Sequence, residues 1–158
     1  MDEKTKQYVI DNWRRIQQQL PETKFNYDFW TTCQPQRSTY PACRAVIAAR
    51  KQGLQYDEIM TLAIQQAYYL QARNPSNNAT LIELAQEIGL DANQFKQDLF
   101  GDEAEQELLY ELNTATSLHL DSIPSFLFTD GERGFHINPD YQQADIILEK
   151  IQRAQLDQ

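Results

Sequence analysis

The chain has 158 residues and 41% hydrophobic side chains, which suits one domain with a real core. Its formal net charge of −9 argues against a nucleic-acid surface, since a phosphate backbone would be repelled. No apolar run approaches the ~18 residues that a membrane span needs, and the opening residues do not read as an export signal.

The charge is uneven. Most Lys and Arg precede Ala79, whereas Glu83 to Glu111 is dense in Asp and Glu. That acidic run reads as a solvated helix face, with a docking surface for a basic partner as the alternative. The two cysteines, Cys33 and Cys43, have nine residues between them, which is neither C-x-x-C nor a zinc knuckle. Without an export signal, a cytoplasmic, reducing location and free thiols are expected.

Val9, Trp13, Ile16 and Leu20 recur at helical spacing, so a helix is predicted from about Asp2 to Leu20, stopped by Pro21. The aromatic segment Phe25 to Trp30 reads as a loop anchored by buried rings. Arg37-Ser38-Thr39-Tyr40-Pro41 looks like a helix start, with a hydroxyl cap and a proline in the first turn. That helix continues through Cys43, Val46 and Ile47 to Gly53. A second is predicted from about Tyr56 to Arg73, with an apolar stripe wide enough to predict heavy burial.

Asn74 to Asn78 is the clearest loop. The next helix carries Leu81, Leu84, Ala85 and Ile88 and ends at Gly89. Asp91 and Gln94 have capping-box spacing for another, with Phe95 and Leu99 inward. A longer helix is predicted from about Asp102 to Leu118, with Leu108, Leu112 and Ala115 on one face. The period then changes. Ser125 to Thr129 and Phe135 to Ile137 flank an Asp130-Gly131 turn, the pattern of a hairpin. Asn138-Pro139-Asp140 opens a last amphipathic helix with Ile147 and Ile151. Phe126-Leu127-Phe128 is apolar at every position, as in a strand covered on both faces. Two strands alone are marginal in water, so this one asks for another neighbour.

The helical block followed by Ser122-Ile123-Pro124-Ser125-Phe126-Leu127-Phe128, a glycine turn, a second strand and a helix resembles the last part of a DsbA-like thioredoxin-fold protein. More specifically, Arg37 to Ile47, Gln66-Ala67-Tyr68-Tyr69 and Leu81 to Leu90 resemble the cytoplasmic, FrnE-related branch of that family. The resemblance implies a mostly helical α/β fold: a βαβ unit, an inserted helical subdomain and a ββα unit. It implies one DsbA-like domain over 1–158, with 1–119 as the N-terminal and inserted helical part and 120–158 as the ββα part.

The same resemblance implies that Ile123-Pro124 is cis and that the loop of Ser122, Ile123 and Pro124 borders a groove for an extended substrate peptide. In the family that groove faces a catalytic C-x-x-C after the first strand. This chain has no C-x-x-C and no βαβ unit before its first helix, so Met1 reads as a point inside the family's chain. A truncated or misassigned start, or a fragment, is the expectation.

No nucleophile for redox exchange is therefore assigned. Cys43 reads as a buried small hydrophobe and Cys33 as the better candidate for a reactive thiol; a disulfide between them stays open. His119 and His136 read as ordinary histidines rather than a metal pair, and Arg14-Arg15 as a solvated face. No metal or other cofactor is expected. Three functions are left open: a DsbA-family domain inactive as this chain, a binding or self-associating module that is a homodimer or a poorly stable monomer, and a glutathione-dependent isomerase or transferase relative. The expected partners are thiol- or disulfide-bearing proteins or peptides, or glutathione, with no nucleic acid and no membrane.

Overall fold

Helix α1 (Glu3–Gln19) begins at a side-chain cap: the Asp2 carboxylate accepts the Thr5 N–H at 2.7 Å. That hydrogen bond holds the Asp2 carboxyl below its ordinary value. The structure is a computed structural model that describes residues 1–36, 38–140 and 143–156. After α1 come α2 (Phe29–Thr32), α3 (Tyr40–Arg50), α4 (Tyr56–Tyr69), α5 (Asn78–Glu87), α6 (Ala92–Phe100), α7 (Asp102–Ser117), β1 (Phe126–Thr129), β2 (Gly134–Ile137) and α8 (Ala144–Leu156). The chain divides into two compact units, Met1–Leu108 and Leu109–Gln158.

In the first unit Trp13 brings α1 onto the aromatic segment. Its ring stacks on Phe25 at 4.7 Å and meets Trp30 at 5.0 Å and Tyr68 at 5.4 Å. The expected loop contains a helical turn, α2, which buries Phe29 and Trp30. The main core lies among α3, α4, α5 and α6, where Ala45, Ala48, Ala49, Met60, Leu81, Leu84 and Phe95 are buried. A smaller cluster joins Ile47 to Ala104 and Leu108 of α7.

Several helix ends match their sequence signals. Asn77 caps α5 through the Ala79 N–H, and Gly89, at φ 84°, closes it while Leu90 N–H returns to Ala85 O. Asp91 caps α6 by accepting the Gln94 N–H at 2.8 Å. The reciprocal bond of a capping box is replaced by a distant residue. Gln52 accepts the Asp91 N–H at 2.9 Å and donates to Asp91 O at 3.0 Å, as a neighbouring strand would.

Other expectations need correction. Helix α3 starts as expected at Tyr40-Pro41, where Ser38 Oγ rather than Thr39 accepts the Tyr40 N–H at 3.4 Å, but it ends at Arg50 rather than Gly53; Arg37 lies outside the described residues. Helix α4 stops at Tyr69 rather than Arg73, because Asn26 takes the Tyr69 and Leu70 carbonyls and Ala72 turns to φ 53°. Its wide stripe is not heavily buried. Only Met60 and Ala67 are, while Ile59, Leu62 and Leu70 are exposed. On α7, Leu112 and Ala115 are not buried; Ala104 and Leu108 are.

The acidic run is more than a solvated face. Glu103 pairs with Lys51 at 2.6 Å, Glu105 with Arg44 at 2.5 Å and Glu107 with Arg50 at 3.6 Å, so carboxylates of α7 answer the cations at and just beyond α3. Lys51 also reaches the buried Asp98 at 2.7 Å, which Gln94 Nε2 joins at 2.9 Å. Desolvation pushes the Asp98 carboxyl up, yet the bonds from Lys51 and Gln94 outweigh it and hold the carboxyl below its ordinary value.

The second unit is the hairpin and the helix after it. The strands pair antiparallel, Phe126 with Ile137 and Thr129 with Gly134, in a two-stranded sheet. Asp130 Oδ1 organises the turn by accepting the Glu132 and Arg133 N–H groups at 3.0 and 2.8 Å. Strand β1 is not covered on both faces: Phe126 is exposed and Leu127 and Phe128 are half-buried. On α8, Ile147 and Ile151 are half-buried, and Lys150 Nζ bonds Asn138 O at 3.0 Å.

Trp13→Ala removes the ring at the centre of the aromatic cluster and is expected to cost about 3–5 kcal/mol, read from the urea midpoint. Asp98→Asn is expected to cost about 1.5–3 kcal/mol near neutral pH. Because the folded Asp98 carboxyl sits below its ordinary 3.8, that stability is present above 3.8 and fades as pH falls through the folded value. The two stability–pH curves are therefore expected to converge in strong acid.

Candidate functional site

Helix α7 ends with His119 in the left-handed region at φ 55°. Leu120 N–H returns to Ala115 O at 2.9 Å and His119 N–H to Thr116 O at 3.0 Å. This is the Schellman arrangement that usually recruits glycine, so His119 has a conformational role at a helix end. It releases the chain into the segment that leads to β1. Ser125 Oγ donates to Ser122 O, and the two hydroxyls lie 3.1 Å apart, tying the loop across its neck. Between them the Ile123–Pro124 peptide is cis and the Ile123 side chain is fully exposed. Beyond the loop, β1 pairs on one side with β2, and its other edge has no strand among the described residues.

Both cysteines are free thiols, and both lie in the first unit. Cys33 follows α2, half-buried against the aromatic cluster, and its Sγ donates to Ala72 O at 3.1 Å. Cys43 is half-buried against Ile47, Ala104 and Leu108. His136 lies opposite Leu127 in the hairpin. Arg14 pairs with Asp11 and Arg15 bonds Asn12, on an exposed face of α1. Among the described residues no group of His, Cys, Asp and Glu is arranged to hold a metal ion, and no helix is long and apolar enough to cross a membrane.

A groove of about 730 Å³ in the first unit was not foreseen from the sequence. Phe29, Tyr40, Ile64 and Tyr68 supply its apolar wall, with Ser38 and Thr39 on its polar side. No local motif signals it; its aromatic walls meet only in the fold, where Phe29 lies edge-on to Tyr68 at 4.7 Å. Burial pushes the Tyr68 hydroxyl up to about 12. A second hollow, of about 640 Å³, is polar and includes Cys33, Asn74, Asn77 and Arg73. Arg73 is held there by Glu83 and Glu87 at 3.0 and 2.9 Å.

The family model described as Thioredoxin matches residues 4–149. The chain belongs to this thioredoxin family. Its fold is that of DsbA-like members, mostly helical with a small sheet. The structure of a Nitrosomonas europaea protein described as a protein disulfide isomerase superposes with a TM-score of 0.82 at 18% identity, over 99% of this chain and 76% of that one. The cytosolic disulfide reductase DsbM from Pseudomonas aeruginosa gives 0.75 at 21% identity, over 95% of this chain and 77% of that one.

Curated relatives include the ClpXP adapter protein SpxH of Halalkalibacterium halodurans, 30% identical over 116 residues, or 73% of this chain and 37% of that protein. SpxH of Bacillus subtilis is 23% identical over 129 residues, 81% of this chain and 43% of that protein. The chain thus spans well under half the length of the curated relatives it matches.

The Tyr68 shift has a measurable consequence. A phenol whose folded value is raised from 10.0 to about 12 contributes stability that is complete below 10 and lost as pH climbs through 12. Tyr68→Phe is therefore expected to flatten the loss of stability between those values, followed by denaturant unfolding at each pH.

Proposed function

We propose that this chain supplies part of a DsbA-family thiol–disulfide oxidoreductase: the inserted helical block and the loop that lines one side of a substrate groove. The observation that carries this reading is the tied loop Ser122 to Ser125, which presents a fully exposed Ile123 ahead of a strand whose outer edge meets no other strand among the described residues. An extended peptide pairs with such backbone through main-chain hydrogen bonds. The two compact units would then be parts of one interrupted domain over 1–158, with 120–158 as its ββα part. Thiol- or disulfide-bearing proteins or peptides are the expected substrates, in a cytoplasmic setting and without a cofactor.

Redox turnover is not expected of this chain alone. Exchange needs an attacking thiolate and a resolving thiol close by, whereas Cys33 and Cys43 are occupied in separate packing clusters. In an insulin-reduction assay the chain is expected to show background rates. A version extended upstream by a βαβ segment carrying C-x-x-C is expected to turn over. Inactivity of the extended protein, with its thiols titratable, would overturn the reading.

A second reading, a binding or self-associating module, is favoured by a different observation. Among described residues the second unit buries only Ile137 of its hydrophobic side chains, and it exposes Leu112, Leu118, Ile123, Phe126 and Leu148. The description of SpxH relatives as ClpXP adapters also supports a binding role. Light scattering separates the cases: a dimer supports self-association, and a stable monomer with a protected β1 excludes it. The glutathione-dependent alternative draws on DsbM, whose structure is also known with GSH. Calorimetry with glutathione tests it directly, and no heat of binding would remove it.

A further inference from the structure

Cys43 lies one turn before Ile47 on α3, and it packs against Ile47, Ala104 and Leu108. Ala104 and Leu108 are the buried side chains that α7 contributes, and one of them is only a methyl group. The rest of the attachment described between α3 and α7 is electrostatic. Glu103, Glu105 and Glu107 alternate with the inward positions and reach Lys51, Arg44 and Arg50 at 2.6, 2.5 and 3.6 Å.

These α7 carboxylates are open to solvent, with side chains 80%, 42% and 48% exposed, so mobile ions can screen them. The Lys51–Asp98 pair differs. Asp98 is 8% exposed, and it belongs to α6 rather than α7, so screening leaves the main core intact. Cys33 is covered in another way, by the aromatic cluster and its bond to Ala72 O.

We propose that the first two turns of α7 form a salt-sensitive latch over the Cys43 thiol. The latch is held shut by the three ion pairs that α7 makes with Arg44, Arg50 and Lys51, and it opens by local detachment while the core around α3 to α6 stays folded. Ionic strength then sets how far the half-buried Cys43 is opened to solvent, whereas Cys33 does not respond.

The test is alkylation of the full chain with N-ethylmaleimide, an uncharged reagent whose encounter with an acidic protein does not itself depend on screening. Peptide mass spectrometry reads the two cysteines separately in the same sample. Between about 0.1 M and about 1 M NaCl the screening length falls from ~10 to ~3 Å, and the Cys43 rate is expected to rise about ten-fold with Cys33 unchanged. The combined substitution Glu103→Gln, Glu105→Gln and Glu107→Gln is expected to give the fast Cys43 rate already at low salt and to abolish the salt response. Circular dichroism checks that this variant is folded. Should it fail to fold, the salt series on the unaltered chain decides alone. A Cys43 rate indifferent to salt overturns the latch, and so does a rise shared equally by Cys33, which would mean global opening.

Discussion

The first unit depends on how closely other helices approach α3. Ala45, Ala48 and Ala49 have no exposed surface, and small side chains there let Met60, Leu81, Leu84 and Phe95 pack around one helix. A larger residue in that row would have to displace backbone, because a close-packed interior has no spare volume to absorb it. Elsewhere α3 carries Cys43 and Ile47 toward α7, with Arg44 and Arg50 flanking them. One helix thus packs its alanine row against α4, α5 and α6 and its Cys43–Ile47 side against α7, while ion pairs ring both contacts, Arg50 with Asp57 of α4 at 3.1 Å among them. The alanine row depends on side-chain volume, and the ion pairs depend on charge.

The same division explains which parts of the fold were legible. Signals that act over a few residues could be read directly: the Asp91 cap, the stop at Gly89, and the hairpin around Asp130-Gly131. Features set by remote partners could not. Helix α4 ends early because Asn26, 44 residues from Leu70 in sequence, takes its carbonyls. The acidic face of α7 reads as solvated until cations 52 and 61 residues away are brought opposite it. Gln52 completing the cap of a helix 39 residues later leaves no local trace at all.

The candidate site divides in the same way. Ser122, Ile123 and Pro124 could be placed ahead of a strand because the change from helical to strand period is visible in sequence. The groove lined by Phe29, Tyr40 and Tyr68 was hidden, because its walls come from α2, α3 and α4 and no motif links them. The role of His119 was hidden too, since left-handed helix ends are normally read from glycine or asparagine.

The hairpin poses the sharpest physical question. Phe126, Leu127 and Phe128 form an apolar run suited to a sheet interior, yet β1 has four residues and, among the described residues, a single neighbouring strand. Cross-strand contact helps, with Phe128 and Phe135 stacked at 6.3 Å and Arg133 lying 5.6 Å over the Phe135 ring. Such pairs contribute up to about 1 kcal/mol each, too little to replace a third strand. The sequence of β1 therefore suits a larger sheet than the described residues of this chain build. That mismatch favours a strand-forming partner, whether upstream chain, substrate peptide or second copy, over a solvated hairpin that acts alone.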